Sequence, residues 1–171
     1  LVSLTFAIAF SGLNWSLLSA LPLALLTAGI GFILHELGHK FVAQSYRCWA
    51  EFRANDEALI FGLVLSLFGV VIAAPGAVLV HGATREQHGK IALFGPLMNF
   101  LLVLFFFALS LIGHGTFSTL ALYGVQINAL LFAFNLIPFP PFDGFAVWQW
   151  NKAAYGFTMV LAIITMVAIN S

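Results

Sequence analysis

The sequence is poor in charge. Only 7% of its 171 residues are Asp, Glu, Lys or Arg, against about a quarter in a typical soluble domain. A surface with so few charges cannot mostly face water, which argues against a soluble globular class. Cysteine is nearly absent too. Cys48 stands alone, so an internal disulfide and a cysteine-built zinc site are both excluded. We read it as a small semi-polar residue near a membrane surface. Six basic side chains balance six acidic ones. No charge excess points to nucleic acid, and no such partner is expected. Residues 1–34 carry no charge at all. No basic n-region or cleavage site precedes the apolar stretch 1–10, so it reads as the end of a transmembrane helix rather than a signal peptide.

What is present is apolar. Hydrophobic residues make up 62% of the chain, with 19 phenylalanines. The expected fold class is an all-α polytopic membrane protein of about five transmembrane helices, embedded in a lipid bilayer. A turn at 12–16 carries Trp15, an interfacial residue type. A helix is expected to start near Pro22, which suits a first turn, and to run to about Gln44. Further spans are expected at 91–112, 117–134 and 153–169. Residues 59–80 are apolar enough to cross but are interrupted by Gly69, Pro75 and Gly76. A short helix followed by a small membrane-associated hairpin, with strands at 70–74 and 77–80, fits better than a full span. The hairpin region thus falls near 50–90, within a single domain covering 1–171.

Charge placement supports that topology. If 70–80 does not cross, Lys40, Arg47, Arg53, Arg85, Lys90 and Lys152 all lie on one side. The uncharged turns 12–16 and 113–116 lie on the other. Basic residues collect in the cytoplasm, so a multi-pass protein with its basic face inside is expected. Two charged residues stand apart from these polar clusters, in apolar surroundings: Glu36 and Asp143.

Glu36 lies in His35-Glu36-Leu37-Gly38-His39. On a helix, residues four apart share a face. Two imidazoles so placed can bind one zinc ion, and the glutamate between them can serve as general base for water activated by the metal. The same five residues can occur by accident on a solvated helix. Here Ile30 to Leu34 precede them without a polar side chain, and ionisable residues inside a span are costly and mark function by default. From Pro22 to His35 the helix rises roughly 20 Å. The motif is therefore expected inside the hydrocarbon layer, toward the basic side.

A catalytic zinc site wants a third protein ligand and an open position. Asp143 is the remaining carboxylate in an apolar setting. Pro138, Pro140 and Pro141 before it cannot sustain a regular helix, and irregular backbone at membrane depth needs protein or a watery cavity around it. Gly144 permits close backbone approach. Asp143 is read as a zinc ligand ahead of the alternative, an N-cap of the last helical stretch, although it could be both.

The HELGH helix, the segment Gly95-Pro96-Leu97-Met98-Asn99 and the stretch from Asn135 to Gly144 (NLIPFPPFDG) together resemble the site-2 protease family of intramembrane metalloproteases. The resemblance spans roughly residues 31–144. It implies one catalytic Zn2+ held by His35, His39 and Asp143, with Glu36 as catalytic acid/base. It implies cleavage of transmembrane segments of membrane-protein substrates, near the cytoplasmic side. It also implies that the region around 51–80 is a membrane-associated strand segment onto which an extended substrate could add. The compact chain looks most like minimal archaeal members that have no PDZ or CBS domain. Asn135 would hold substrate backbone or the oxyanion, or else satisfy backbone where the helix unwinds. Gly95 and Asn99 are read as helix-packing residues with an interhelical hydrogen bond. His81, His88 and His114 are read as solvated or interfacial. The alternatives are a membrane zinc transporter, or a protein that binds transmembrane clients without cutting them. The sequence does not fix the oligomeric state.

Overall fold

The computed structural model describes residues 2–11, 17–54, 56–68 and 76–170. Helices dominate. Helix α1 (Val2–Ser11) and α2 (Leu17–Ala24) are followed by a π-helical stretch, Leu25–Gly29, that leads straight into α3 (Ile30–Ser45). Strand β1 (Trp49–Ala54), helix α4 (Asp56–Ser66) and strand β2 (Gly76–His81) come next. The chain closes with α5 (Arg85–Ile112), α6 (Thr116–Asn135), α7 (Asp143–Trp150) and α8 (Lys152–Asn170). Among the described residues, four helices are long and apolar enough to cross a membrane: Ala20–Ser45, Arg85–Ile112, Thr116–Asn135 and Lys152–Asn170. The protein is an all-α membrane protein with one small two-stranded sheet.

Four of the expected spans are thus full-length helices. The N-terminal stretch forms the ten-residue α1, which at 1.5 Å per residue covers only about 15 Å. Two details differ from the sequence reading. Pro22 does not start its helix but lies inside α2. The hydrogen bond that Pro22 cannot make is a tolerated loss in a packed membrane helix. Helix α5 begins at Arg85, ahead of the expected 91, because Thr84 and Gln87 form a reciprocal capping box that satisfies orphan N–H groups at its first turn.

The sheet also departs from expectation. Strand β2 coincides with the expected strand at 77–80, but its partner is β1, antiparallel, in the register Trp49↔His81 to Ala54↔Gly76. The connection therefore runs through α4 and is not a tight hairpin. The expected strand at 70–74 lies outside the described residues. Helix α4, with 11 residues, is too short to span, as expected of this segment. Phe32 on α3 meets Phe52 on β1 edge to face at 5.9 Å between centroids, which seats the sheet against α3.

Helix contacts use small residues, as lipid-embedded packing requires, since burial from water drives little there. A methyl group at Gly38 would stand 2.8 Å from Met98 Cγ and 2.9 Å from Phe94 O; its absence lets α3 and α5 touch. Gly124 does the same for Phe106, holding α6 on α5. The outer faces remain apolar. Phe105, Phe107, Leu111, Ile112 and Ile164 are exposed while Phe106 is buried, so the Phe105–Phe107 run divides between lipid face and packed interior.

Candidate metal centre

Three elements bring the site together. Helix α3 presents His35 and His39 one turn apart, both buried. Asp143 is the first residue of α7, after the irregular 136–142 segment that the prolines enforce. Gly144 sets this approach. A Cβ there would fall 2.2 Å from Leu136 O, so only glycine lets α7 begin directly against the end of α6. Asp143 does not cap its helix. The N-cap position belongs to Phe142, without a side-chain bond. One Asp143 carboxylate oxygen instead lies 3.1 Å from His35 Nε2 and 3.2 Å from His39 Nε2.

The two Nε2 atoms are themselves 3.0 Å apart. Zinc bonded to nitrogen and oxygen at its usual lengths in a tetrahedral site spaces its ligand atoms about 3.3 Å apart. The observed triangle matches that spacing. The ring protons fit as well. His39 Nδ1 lies 2.8 Å from Ile91 O, and His35 Nδ1 lies 2.6 Å from Asn99 Oδ1. Both partners only accept, so each Nδ1 carries a proton, and in the neutral ring each Nε2 is then left with a lone pair. Two lone pairs and a carboxylate facing one point repel one another unless a cation sits among them. This is the one cluster of three or more potential metal ligands among the described residues.

Glu36 lies between the histidines on the same helix. Its Oε2 is buried without a hydrogen-bond partner, an arrangement with a cost of about 1–3 kcal/mol that functional sites tolerate. The Val78 N–H of β2 donates toward its carboxylate, and both histidines and Asp143 lie within electrostatic range of it. Asp143 keeps 20% of its side-chain surface accessible, so the centre is not sealed.

Helix α5 forms the wall. A methyl at Gly95 would stand 2.3 Å from His39 Nε2 and 2.6 Å from His35 Nε2. The missing side chain at Gly95 lets α5 lie close to α3 and leaves room for the donor atoms themselves. Asn99 donates to Gly31 O on α3 at 3.3 Å, and its Oδ1 faces His35 Nδ1. Gly95→Ala should lower zinc retention at least about tenfold although residue 95 donates nothing to the metal. Zinc content after dialysis against a graded chelator measures this.

The remaining candidates fall outside the triangle. Asn135 Nδ2 donates to Leu131 O at 2.9 Å, one turn back within α6. His81, His88 and His114 are exposed. The sequence reading missed Asn128. It is fully buried on α6 and bonded to Asn99. An amide in the middle of an apolar helix is the available signal, since polar groups in such helices cross-link neighbours.

Fold and site together define a helical membrane protein in which two histidines and an aspartate could hold a metal ion. The chain is 45% identical over 153 residues to "Putative zinc metalloprotease MJ0611" of Methanocaldococcus jannaschii, covering 86% of this chain and 80% of that protein. It is 27% identical over 154 residues to "Putative zinc metalloprotease YwhC" of Bacillus subtilis, covering 76% and 69%. With "Zinc metalloprotease MJ0392" of Methanocaldococcus jannaschii it shares 31% over 121 residues, 67% of this chain and 30% of that one. The chain belongs to this family of zinc metalloproteases. Neither a family model nor a solved structure matches it.

Proposed function

We propose that the protein is an intramembrane zinc metalloendopeptidase of the site-2 type, which cleaves transmembrane segments of membrane-protein substrates in regulated intramembrane proteolysis. One observation carries the reading. Three metal-ligand atoms converge beside a buried glutamate on a 26-residue helix apolar enough to cross a bilayer. Zn2+ is the cofactor, as a single ion held by His35, His39 and Asp143. When bound it supplies Lewis-acid chemistry, acidifying water and polarising a carbonyl.

The chain's own groups do the rest. Glu36 takes a proton from the attacking water on its carboxylate and returns it to the departing amine nitrogen. Asp143 and Glu36 bring two negative charges against a divalent cation, and the two neutral imidazoles add none. A centre with no net charge is the least costly kind at membrane depth. A substrate helix must unwind to expose its carbonyl carbon. Among the described residues β2 pairs only with β1, and its Val78 N–H reaches Glu36. An extended substrate adding to that edge would run alongside the centre. Asn135 has a second amide N–H beyond the one given to Leu131, available to substrate backbone or oxyanion.

The cytoplasmic orientation follows from the basic residues. Arg85 at the start of α5 bonds to Gln149 O on α7, and Lys90 lies over the Trp150 ring. These groups gather at one end of the bundle, the end toward which α3 carries His39 and Lys40.

The test uses purified protein in proteoliposomes with a transmembrane reporter. The expected result is a chelator-sensitive cut within the membrane segment, located by mass spectrometry, and no cut in a soluble peptide of the same residues. Equal cutting of the soluble peptide would replace this reading with that of a membrane-bound hydrolase of soluble peptides. Zinc flux without product would favour a transporter, and reporter binding without product a client-binding protein.

A further inference from the structure

His35 is oriented through a chain of amides that crosses three helices. Asn128 Nδ2 donates to Gly124 O at 2.9 Å, one turn back on α6. That leaves Asn128 Oδ1 to accept from Asn99 Nδ2 at 3.1 Å. Asn99 Nδ2 also reaches Gly31 O on α3 at 3.3 Å. Asn99 Oδ1 is then left facing His35 Nδ1 at 2.6 Å. Two backbone carbonyls that can only accept, Gly124 O at the α6 end and Gly31 O beside Asn99, anchor the chain. The direction of every bond, and so the orientation of both amides, is thereby fixed.

We propose that Asn128 is a positioning residue for the metal centre: through Asn99 it locks His35 in the Nδ1–H tautomer, with Nε2 turned to the metal. Without Asn128 Oδ1, only the longer 3.3 Å bond to Gly31 O still distinguishes the two ends of the Asn99 amide, so its orientation is held less firmly. The amide can then turn its NH2 toward His35, which favours the tautomer with its proton on Nε2 and removes the lone pair. Both asparagines are fully buried, so water does not substitute. Gly31 belongs to the same device. A methyl there would stand 2.4 Å from Asn128 Oδ1, pushing the amide out of line. His39 takes its orientation from a backbone carbonyl, Ile91 O, and needs no such relay.

The inference rests on the metal-centre reading, and its test separates the two. Cobalt(II) is the probe, read by its visible d–d absorption and by chelator competition. Asn128→Leu has nearly the same size and removes both hydrogen-bonding functions. Asn128→Asp is isosteric as a carboxylic acid, with a carbonyl oxygen to accept from Asn99 and a hydroxyl to donate to Gly124 O. Asn128→Leu should weaken cobalt binding about 10- to 100-fold, the range for outer-shell partners of a metal ligand, and alter the spectrum. Asn128→Asp should bind and absorb close to wild type. If Asn128 only fills space in an apolar interior, the order reverses and leucine is tolerated better than aspartic acid. That reversal, or equal binding by all three proteins, overturns the proposal and leaves the centre standing. No cobalt binding by the wild type overturns the centre and the proposal together. If Asn128→Leu fails to fold, Gly31→Ala takes its place, with a weakened, spectrally altered site expected and a wild-type site counting against the relay.

Discussion

Exchanging Glu36 for glutamine should leave the metal in place and remove turnover. The substitution preserves size and changes one oxygen to NH2. Glu36 is not among the converging ligand atoms, which come from His35, His39 and Asp143, so zinc content should stay at the wild-type level. Among the described residues, Glu36 is the carboxylate beside the ligand triangle that is not itself one of the three converging ligands. The carboxylate lies on the same helix between the two histidines, with Oε2 unclaimed. General acid–base catalysis contributes typically 10²- to 10⁴-fold, so cleavage of the transmembrane reporter should fall by about three orders of magnitude. Metal analysis and the cleavage assay on one preparation decide it. Full turnover with full zinc would remove Glu36 from the mechanism.

Asp143→Ala should produce the opposite pattern, with metal and activity lost together. The carboxylate contacts both Nε2 atoms at 3.1 and 3.2 Å, and nothing else among the described residues completes the triangle. Two imidazoles alone make an incomplete site, short of the three protein ligands of a catalytic zinc centre. Zinc affinity should fall by more than about 100-fold, beyond the range for outer-shell partners. Titration with a zinc-buffering chelator gives the number. Asp143→Ala retaining zinc at wild-type affinity would mean that a different third ligand operates.

How far the sequence disclosed this arrangement depends on the range over which each signal acts. The histidine pair was legible because four-residue spacing on a helix is local geometry. Asp143 was legible because Pro138, Pro140 and Pro141 announce the break and few carboxylates sit in apolar surroundings. Strand β2 was visible as a run of β-favouring residues. Its partner was not, because pairing with Trp49–Ala54 across α4 is a tertiary choice that no neighbouring residue encodes. Gly95 and Asn99 were read as packing residues. That is what glycine and asparagine usually do between membrane helices, and only the assembled bundle shows the histidine nitrogens lying over one and bonded to the other. Asn128 carried no motif at all, and its importance comes from what three helices place beside it.

The 3.0–3.2 Å triangle of donor atoms has a mechanical side as well. Histidine and aspartate meet there although about a hundred residues of chain separate them, so an ion bound between them closes a long loop at a single point. Lipid offers membrane helices little reason to cohere beyond packing and hydrogen bonds. A bound ion would then double as a rivet between α3 and the segment that follows α6, and the apo protein would be free to part along that seam.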